Sequence, residues 1–260
     1  MNANLEIVLS LALPATGDAA ADLAVFRRCW ASVADKNPTL VASAHAVMLL
    51  GLESDGVLEA AAAELRDAIG ADVYRLSGSS WGRVFNDAFL CATSCHRAKY
   101  WVHVDDAHVC CRPFWNSARA ALRGPGSDLW QLQLSDDWDD LPEERLVRRD
   151  GFTEVLPHVD AAAKARLDPE DYWDGEPYLS LWPIFSLRPF VNNLEKFRGA
   201  AALGSLPNRP FDEEAGWTAL QWTFGLRLEQ LGARKGVLNP PAFSFADASD
   251  ETDDDDDDMS

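Results

Sequence analysis

The sequence predicts an α/β fold: a mostly parallel sheet flanked by helices, in a single domain. Apolar runs and amphipathic helices alternate strand–helix–strand–helix–strand from residue 5 to residue 76, the order that builds a parallel, doubly wound sheet with right-handed crossovers. A short apolar strand, residues 100–104, then runs straight into two carboxylates, Asp105 and Asp106. The chain has 260 residues, is 47% hydrophobic and carries ten Trp. That is enough for one domain with a sizeable core.

Leu5 to Leu13 is an apolar run closed by Pro14 and reads as the first strand. Thr16-Gly17-Asp18 supplies a loop and a helix cap. Residues 19–35 follow as a helix with Leu23, Phe26, Cys29, Trp30 and Val33 on one face. Leu40 to Leu50 reads as the second strand, Asp55 as the cap of a helix over 57–69, and Asp72 to Leu76 as the third strand.

The stretch Gly78 to Trp115 organises the rest. A glycine-serine turn opens a helix with Val84, Ala88, Cys91 and Ala92 at three- and four-residue spacing. The strand 100–104 ends in Asp105 and Asp106, with His108 just beyond. Two adjacent Asp are costly to bury unpaired, so they belong at the mouth of the sheet, where open α/β sheets bind ligands. A pair of carboxylates there suits a hard divalent cation such as Mg²⁺, which shares its shell with phosphates. A solvated Asp-Asp turn is the plainer reading.

A helix over 113–123 is stopped by Gly124-Pro125-Gly126, and Leu129 to Leu134 alternates as a strand. Ser135 to Asp174 reads as a long, solvated polar insertion containing Asp136-Asp137-Trp138-Asp139-Asp140. Tyr178 to Phe190 is apolar but punctured by Pro183 and Pro189, so it is a strand and turn. Phe211-Asp212-Glu213-Glu214 leads into a helix through Trp217, Leu220, Phe224 and Leu228. Residues 236–246 form a last strand or arm.

The glycine turn (Gly78), the helix with Arg83 and Asn86, the strand 100–104 and Asp105-Asp106 together resemble the GT-A fold glycosyltransferases, family 2-like. Trp182-Pro183-Ile184-Phe185-Ser186-Leu187-Arg188-Pro189 adds a more distant similarity. It points to the viral and kinetoplastid (base J-type) glucosyltransferases that modify hydroxymethylated bases in DNA. The resemblance implies a GT-A-like, Rossmann-like domain over 1–246, with a nucleotide-sugar half (5–115) and an acceptor half (116–246). It implies transfer of a sugar from a nucleotide donor, UDP-linked, with Mn²⁺ or Mg²⁺. The acceptor is open: a glycan, a protein or a modified base.

Donor contacts would then come from Leu13, Pro14, Ala15, Gly78, Arg83, Asn86, Asp105 and Trp182, the last as an aromatic floor for the sugar. Metal ligands would be Asp105, Asp106 and His108. Asp212, Glu213 and Glu214 are the candidate bases to deprotonate an acceptor hydroxyl; a first-turn acid at a helix start is the plainer reading of the two Glu. The chain departs from the family at Ala107 and Gln221, where related chains carry acids. These departures keep open a catalytically inactive binding or scaffold module. A metal-dependent nucleotidyltransferase on a similar sheet is the third class.

Composition narrows the classes further. The formal net charge is −19, and removing the six Asp of 253–258 still leaves −13, which argues against a broad basic nucleic-acid surface. Residues 247–260 read as a disordered acidic tail. Five Cys without a Cys-x-x-Cys pair read as reduced thiols; a zinc site from Cys91, Cys95, His96 and Cys110 or Cys111 is the rival. With no run of about 18 apolar residues and no basic segment before the first strand, a cytoplasmic protein without a membrane span is expected.

Overall fold

The computed structural model describes residues 6–52, 55–135, 145–156 and 185–246. The sequence reading of the Asp136–Asp140 run, of Trp182 and of the tail 247–260 falls outside these residues. In chain order the elements are β1 (Ile7–Ala12), α1 (Ala19–Lys36), α2 (Pro38–Ala42), β2 (Ala44–Leu52), α3 (Asp55–Ala68), β3 (Asp72–Gly78), α4 (Trp81–Ser94), β4 (Tyr100–Val104) and β5 (His108–Cys110). Then come α5 (Trp115–Arg123), β6 (Gln131–Gln133), β7 (Leu146–Arg149), β8 (Phe152–Val155), β9 (Phe190–Asn193), α6 (Leu194–Ala202), α7 (Trp217–Gln230), β10 (Lys235–Leu238) and β11 (Phe243–Phe245).

Among the described residues nine strands form one sheet, in the order β3-β2-β1-β4-β9-β6-β10-β8-β7. The first four run parallel. From β9 onward the directions are mixed, with β9 antiparallel to both β4 and β6 and β10 parallel to β6. A separate two-stranded sheet pairs β11 antiparallel with β5.

Strand alternation divides the core between the two faces. Ile7, Leu9, Leu11, Val47 and Leu49 pack on one side with residues of α1, α3 and α5. Val8, Met48, Leu50 and Trp101 pack on the other with Phe85 and Phe89 of α4, Phe197 of α6 and Phe224 of α7. Burial on both faces is why the central strands read as continuous apolar runs.

Three boundaries differ from the sequence reading. The second strand begins at Ala44, because Pro38 starts the short helix α2; proline's fixed φ suits a first helical position. The third strand continues through Gly78, so the turn before α4 is Ser79-Ser80. The region expected to be a solvated insertion contributes a hairpin, β7–β8, to the sheet edge. Its two-residue turn is Asp150-Gly151, with Gly151 at φ +79°, and Asp-Gly between strands is a known hairpin signal.

Arg198 of α6 closes the end of α4. Its guanidinium donates to the carbonyls of Ala92, Thr93, Cys95 and Ala98 at 2.6–3.2 Å, satisfying orphan helix-end acceptors just before β4. No helix among the described residues is long and apolar enough to cross a membrane.

Candidate functional site

The chain winds from β1 to β2 to β3 on one side, then crosses to place β4 on the other side of β1. The carboxyl ends of β1 and β4 therefore flank a topological switch point, the place where open α/β sheets leave a crevice. A cleft of about 420 Å³ lies there.

From β1 come Pro14 and Ala15. Their loop is folded back on α1 by the buried Asp22, whose carboxylate accepts the Thr16 hydroxyl at 2.7 Å and the Thr16 N–H at 3.3 Å. Asp18 caps the helix by accepting from Ala20 and Ala21. Leu13 is buried, with its N–H bonded to Leu50 O at 2.8 Å.

From β4 come Asp105, Asp106 and Ala107, followed by His108 at the start of β5. Asp105 and His108 are both buried, and Asp105 Oδ1 lies 2.6 Å from His108 Nδ1. Burial first, and the neighbouring Asp105 charge second, push the Asp106 carboxyl up from its ordinary range. The Cys29 thiol on α1 contacts the carbonyls of Asp106 at 3.6 Å and His108 at 3.4 Å. Burial holds that thiol protonated, its pKa pushed up to about 11, so it can donate.

The remaining wall comes from distant segments. Trp81 opens α4 and Trp217 opens α7; both line the cleft, edge to face at 5.1 Å. Arg188, just before β9, and Phe245, ending β11, complete it. The Phe245 ring packs against His108 with centroids 4.4 Å apart and planes tilted by 31°, and the Arg188 guanidinium lies over Phe245 at 5.1 Å. The sequence reading gave no site role to Trp81, Arg188, Trp217 or Phe245. They converge because β9 inserts beside β4 and because β11 pairs with β5.

The cleft brings together Pro14, Ala15, Asp105, Asp106 and His108, but not the other sequence candidates. Gly78 ends β3, packed so closely on α4 that a Cβ there would lie 3.2 Å from Arg83 Cβ. Asn86 is wholly buried and is a core clip: its amide donates to Phe211 O at 2.9 Å and accepts Phe211 N–H at 3.0 Å. Both amide atoms thus bond the Phe211 backbone. Arg83 is half exposed and pairs with Glu214 at 3.0 Å and Glu213 at 3.7 Å.

Asp212, Glu213 and Glu214 sit over the start of α4, not among the residues lining the cleft. Gly82 permits that approach: a Cβ there would fall 1.9 Å from Asp212 O. Ser80 caps α4 and its hydroxyl donates to Glu213 O. Gln221 is buried and its side-chain oxygen accepts the Leu187 N–H at 2.9 Å, a structural bond. Trp182 lies outside the described residues.

Among the described residues no group of three or more His, Cys, Asp or Glu is arranged to hold a metal ion. What the cleft offers is a pair of carboxylates, oxygen donors of the kind that Mg²⁺ and Mn²⁺ take when phosphates supply further ligands. The expected zinc rival finds no such group either.

No family model and no curated protein sequence matches the chain. Its fold is similar to the crystal structure of residues 1–349 of TarS from S. aureus, at 12% identity and a TM-score of 0.54, over 92% of this chain and 59% of that one. The chain thus spans about three fifths of that protein fragment. Two structures of glucosyl-3-phosphoglycerate synthase from Mycobacterium tuberculosis are also similar. The complex with Mn²⁺, UDP and phosphoglyceric acid has 16% identity and a TM-score of 0.48, over 92% of this chain and 70% of that one. The complex with Mg²⁺ and UDP has 16% identity and a TM-score of 0.49, over 92% and 71%. The likeness to TarS shows the fold, a GT-A-like α/β architecture.

Proposed function

We propose that this GT-A-like chain is a metal-assisted glycosyltransferase that takes a sugar from a UDP-linked donor. The observation that carries the reading is the position of Asp105 and Asp106. They stand at the carboxyl end of β4, at the switch point of the sheet, in a cleft with one guanidinium and three aromatic rings. In this reading Asp105 and Asp106 hold Mn²⁺ or Mg²⁺, which would neutralise charge on the diphosphate leaving group. Asp105 is oriented for this by His108, and the Asp106–His108 backbone by Cys29. Arg188, over the Phe245 ring, adds positive charge to the cleft. Trp81 and Trp217 offer apolar faces for the ring of a base or sugar and shield the cleft from water. The acceptor, whether glycan, protein or modified base, is left open by these groups.

A release assay with a panel of nucleotide sugars tests transfer or slow hydrolysis, and calorimetry with UDP tests donor binding. UDP is expected to bind with Mn²⁺ and to lose most of its affinity in EDTA. Equal affinity in EDTA would sink the metal-bridged reading.

One observation favours a second reading, a binding module that has lost turnover. Asp105 and Asp106 are the only carboxylates among the described residues lining the cleft, and Glu213 and Glu214 are tied to Arg83. Binding of a sugar nucleotide with no release, whatever the metal, would decide for it.

A further inference from the structure

Residues 185–189 carry Arg188 into the cleft, and they belong to no strand or helix. Phe185, Ser186 and Leu187 are nonetheless buried, so their backbone groups need partners from elsewhere. Side chains supply them. The Gln131 amide on β6 accepts the Ser186 N–H at 2.8 Å and donates to Ser186 O at 2.9 Å, a reciprocal pair that stands in for a strand ladder. Gln221 of α7 accepts the Leu187 N–H at 2.9 Å, and the Ser186 hydroxyl oxygen accepts the Arg188 N–H at 3.2 Å. The successive N–H groups of Ser186, Leu187 and Arg188 are thus each met by a side chain. On the far side of Arg188 the Leu134 N–H donates to Pro189 O at 2.8 Å. Gln131, Ser186 and Gln221 are themselves buried.

A surface loop could carry a cation without any of this. Buried polar groups are costly unless bonded, and here they fix the backbone on both sides of one residue whose side chain reaches the cleft. Arg188 is the only Lys or Arg among the described residues lining the cleft, and its guanidinium is further confined over the Phe245 ring at 5.1 Å. A planar guanidinium suits phosphate oxygens, and a preset one binds without first losing its freedom. We propose that Gln131, Ser186 and Gln221 are positioning residues, which hold Arg188 preset for the phosphates of a nucleoside diphosphate. The proposal rests on the reading of the cleft as a donor site. It gives Gln221 a task that needs only an acceptor oxygen.

The test is UDP affinity of the full chain in Mn²⁺, by calorimetry, arranged as double-mutant cycles with Arg188→Met, which keeps an apolar stem and removes the guanidinium. Arg188→Met should weaken UDP binding by about tenfold or more, the scale of a lost charge-assisted hydrogen bond. Gln131→Met, Gln221→Met and Ser186→Ala should each weaken it several-fold alone, and by less than about twofold in the Arg188→Met background. That loss of effect marks positioning through Arg188, whereas a role in stability alone lowers the melting temperature and leaves UDP affinity unmoved. Ser186→Ala deletes a single oxygen and keeps the test open if a glutamine variant fails to fold. If the three substitutions weaken UDP binding equally in both backgrounds, or not at all, the positioning proposal fails. If Arg188→Met binds UDP as wild type does while Asp106→Asn weakens binding, the proposal fails and the cleft reading stands. If neither Arg188→Met nor Asp106→Asn weakens it, the cleft reading fails as well.

Discussion

The chain carries two acidic turns, Asp105-Asp106 and Asp212-Glu213-Glu214, each leading into an aromatic-bearing element, and their surroundings are opposite. Asp105 is buried against an imidazole, and the Asp106 carboxyl is pushed up by burial and by its neighbour's charge. Among the described residues neither pairs with a Lys or Arg. Glu213 and Glu214, by contrast, lie at the surface within 3.0 Å of Arg209 and Arg83 respectively, and their charges are answered. The chemical content of the two turns is nearly the same. Under the proposed function, a cation bound at the first turn would relieve the cost of burying the Asp106 carboxyl beside Asp105. The second turn is stabilised as it stands.

The sharpest way to break this contrast is to neutralise the first turn. Asp106→Asn keeps size and hydrogen-bonding capacity. It should cut sugar transfer or donor hydrolysis by orders of magnitude, because charge stabilisation by a metal is worth several kcal/mol. The melting temperature should not fall. Asp105→Asn should act likewise on turnover while also weakening the contact with His108. Turnover that survives both substitutions would remove the first turn from the chemistry.

The next largest effect concerns how the second turn is held. Asn86→Ala leaves the N–H and C=O of Phe211 without their partner in the core. Each unsatisfied buried group costs about 1–3 kcal/mol, so denaturant unfolding should show a loss of roughly 2–6 kcal/mol. An unchanged midpoint would mean that water replaces the amide and that the clip is not structural.

Glu213→Gln and Glu214→Gln should change stability by less than about 1 kcal/mol, as expected for exposed ion pairs. Their kinetics carry the sharper information. If the second turn stands apart from the cleft, turnover stays near wild type. Lost turnover with donor binding retained, in either variant, marks that residue as the acceptor base and joins the two turns into one site. The smallest effect is expected from removing residues 247–260. Nine acidic side chains leave, and the melting temperature should hardly move. A drop of many degrees would show that the tail docks on the fold.

Much of the fold could be read along the chain, because strands, amphipathic helices and turns announce themselves within a few residues. The apolar run of β4 ended where two charges began, and that boundary located the acidic turn at the mouth of the sheet. Asp18 announced the start of α1 in the same local way. Where the reading slipped, a local signal was present but outweighed: Pro38 shortened the second strand, and Asp150-Gly151 folded a hairpin inside a region that composition made look solvated.

What the sequence determined by itself was the alternation of elements, hence the α/β class, and the presence of two carboxylates where a buried strand must surface. Only the tertiary structure decided which residues share the cleft with them. Asn86 and Gln221 became backbone clips in the core, while Arg188, Trp81, Trp217 and Phe245 became its walls. The physical reason is that these placements depend on long-range pairings, β9 against β4 and β11 against β5, and on the docking of α7 beside α4. The side chains that meet there carry no local periodicity that refers to one another, so their meeting is a property of the packed sheet and not of any stretch of the chain.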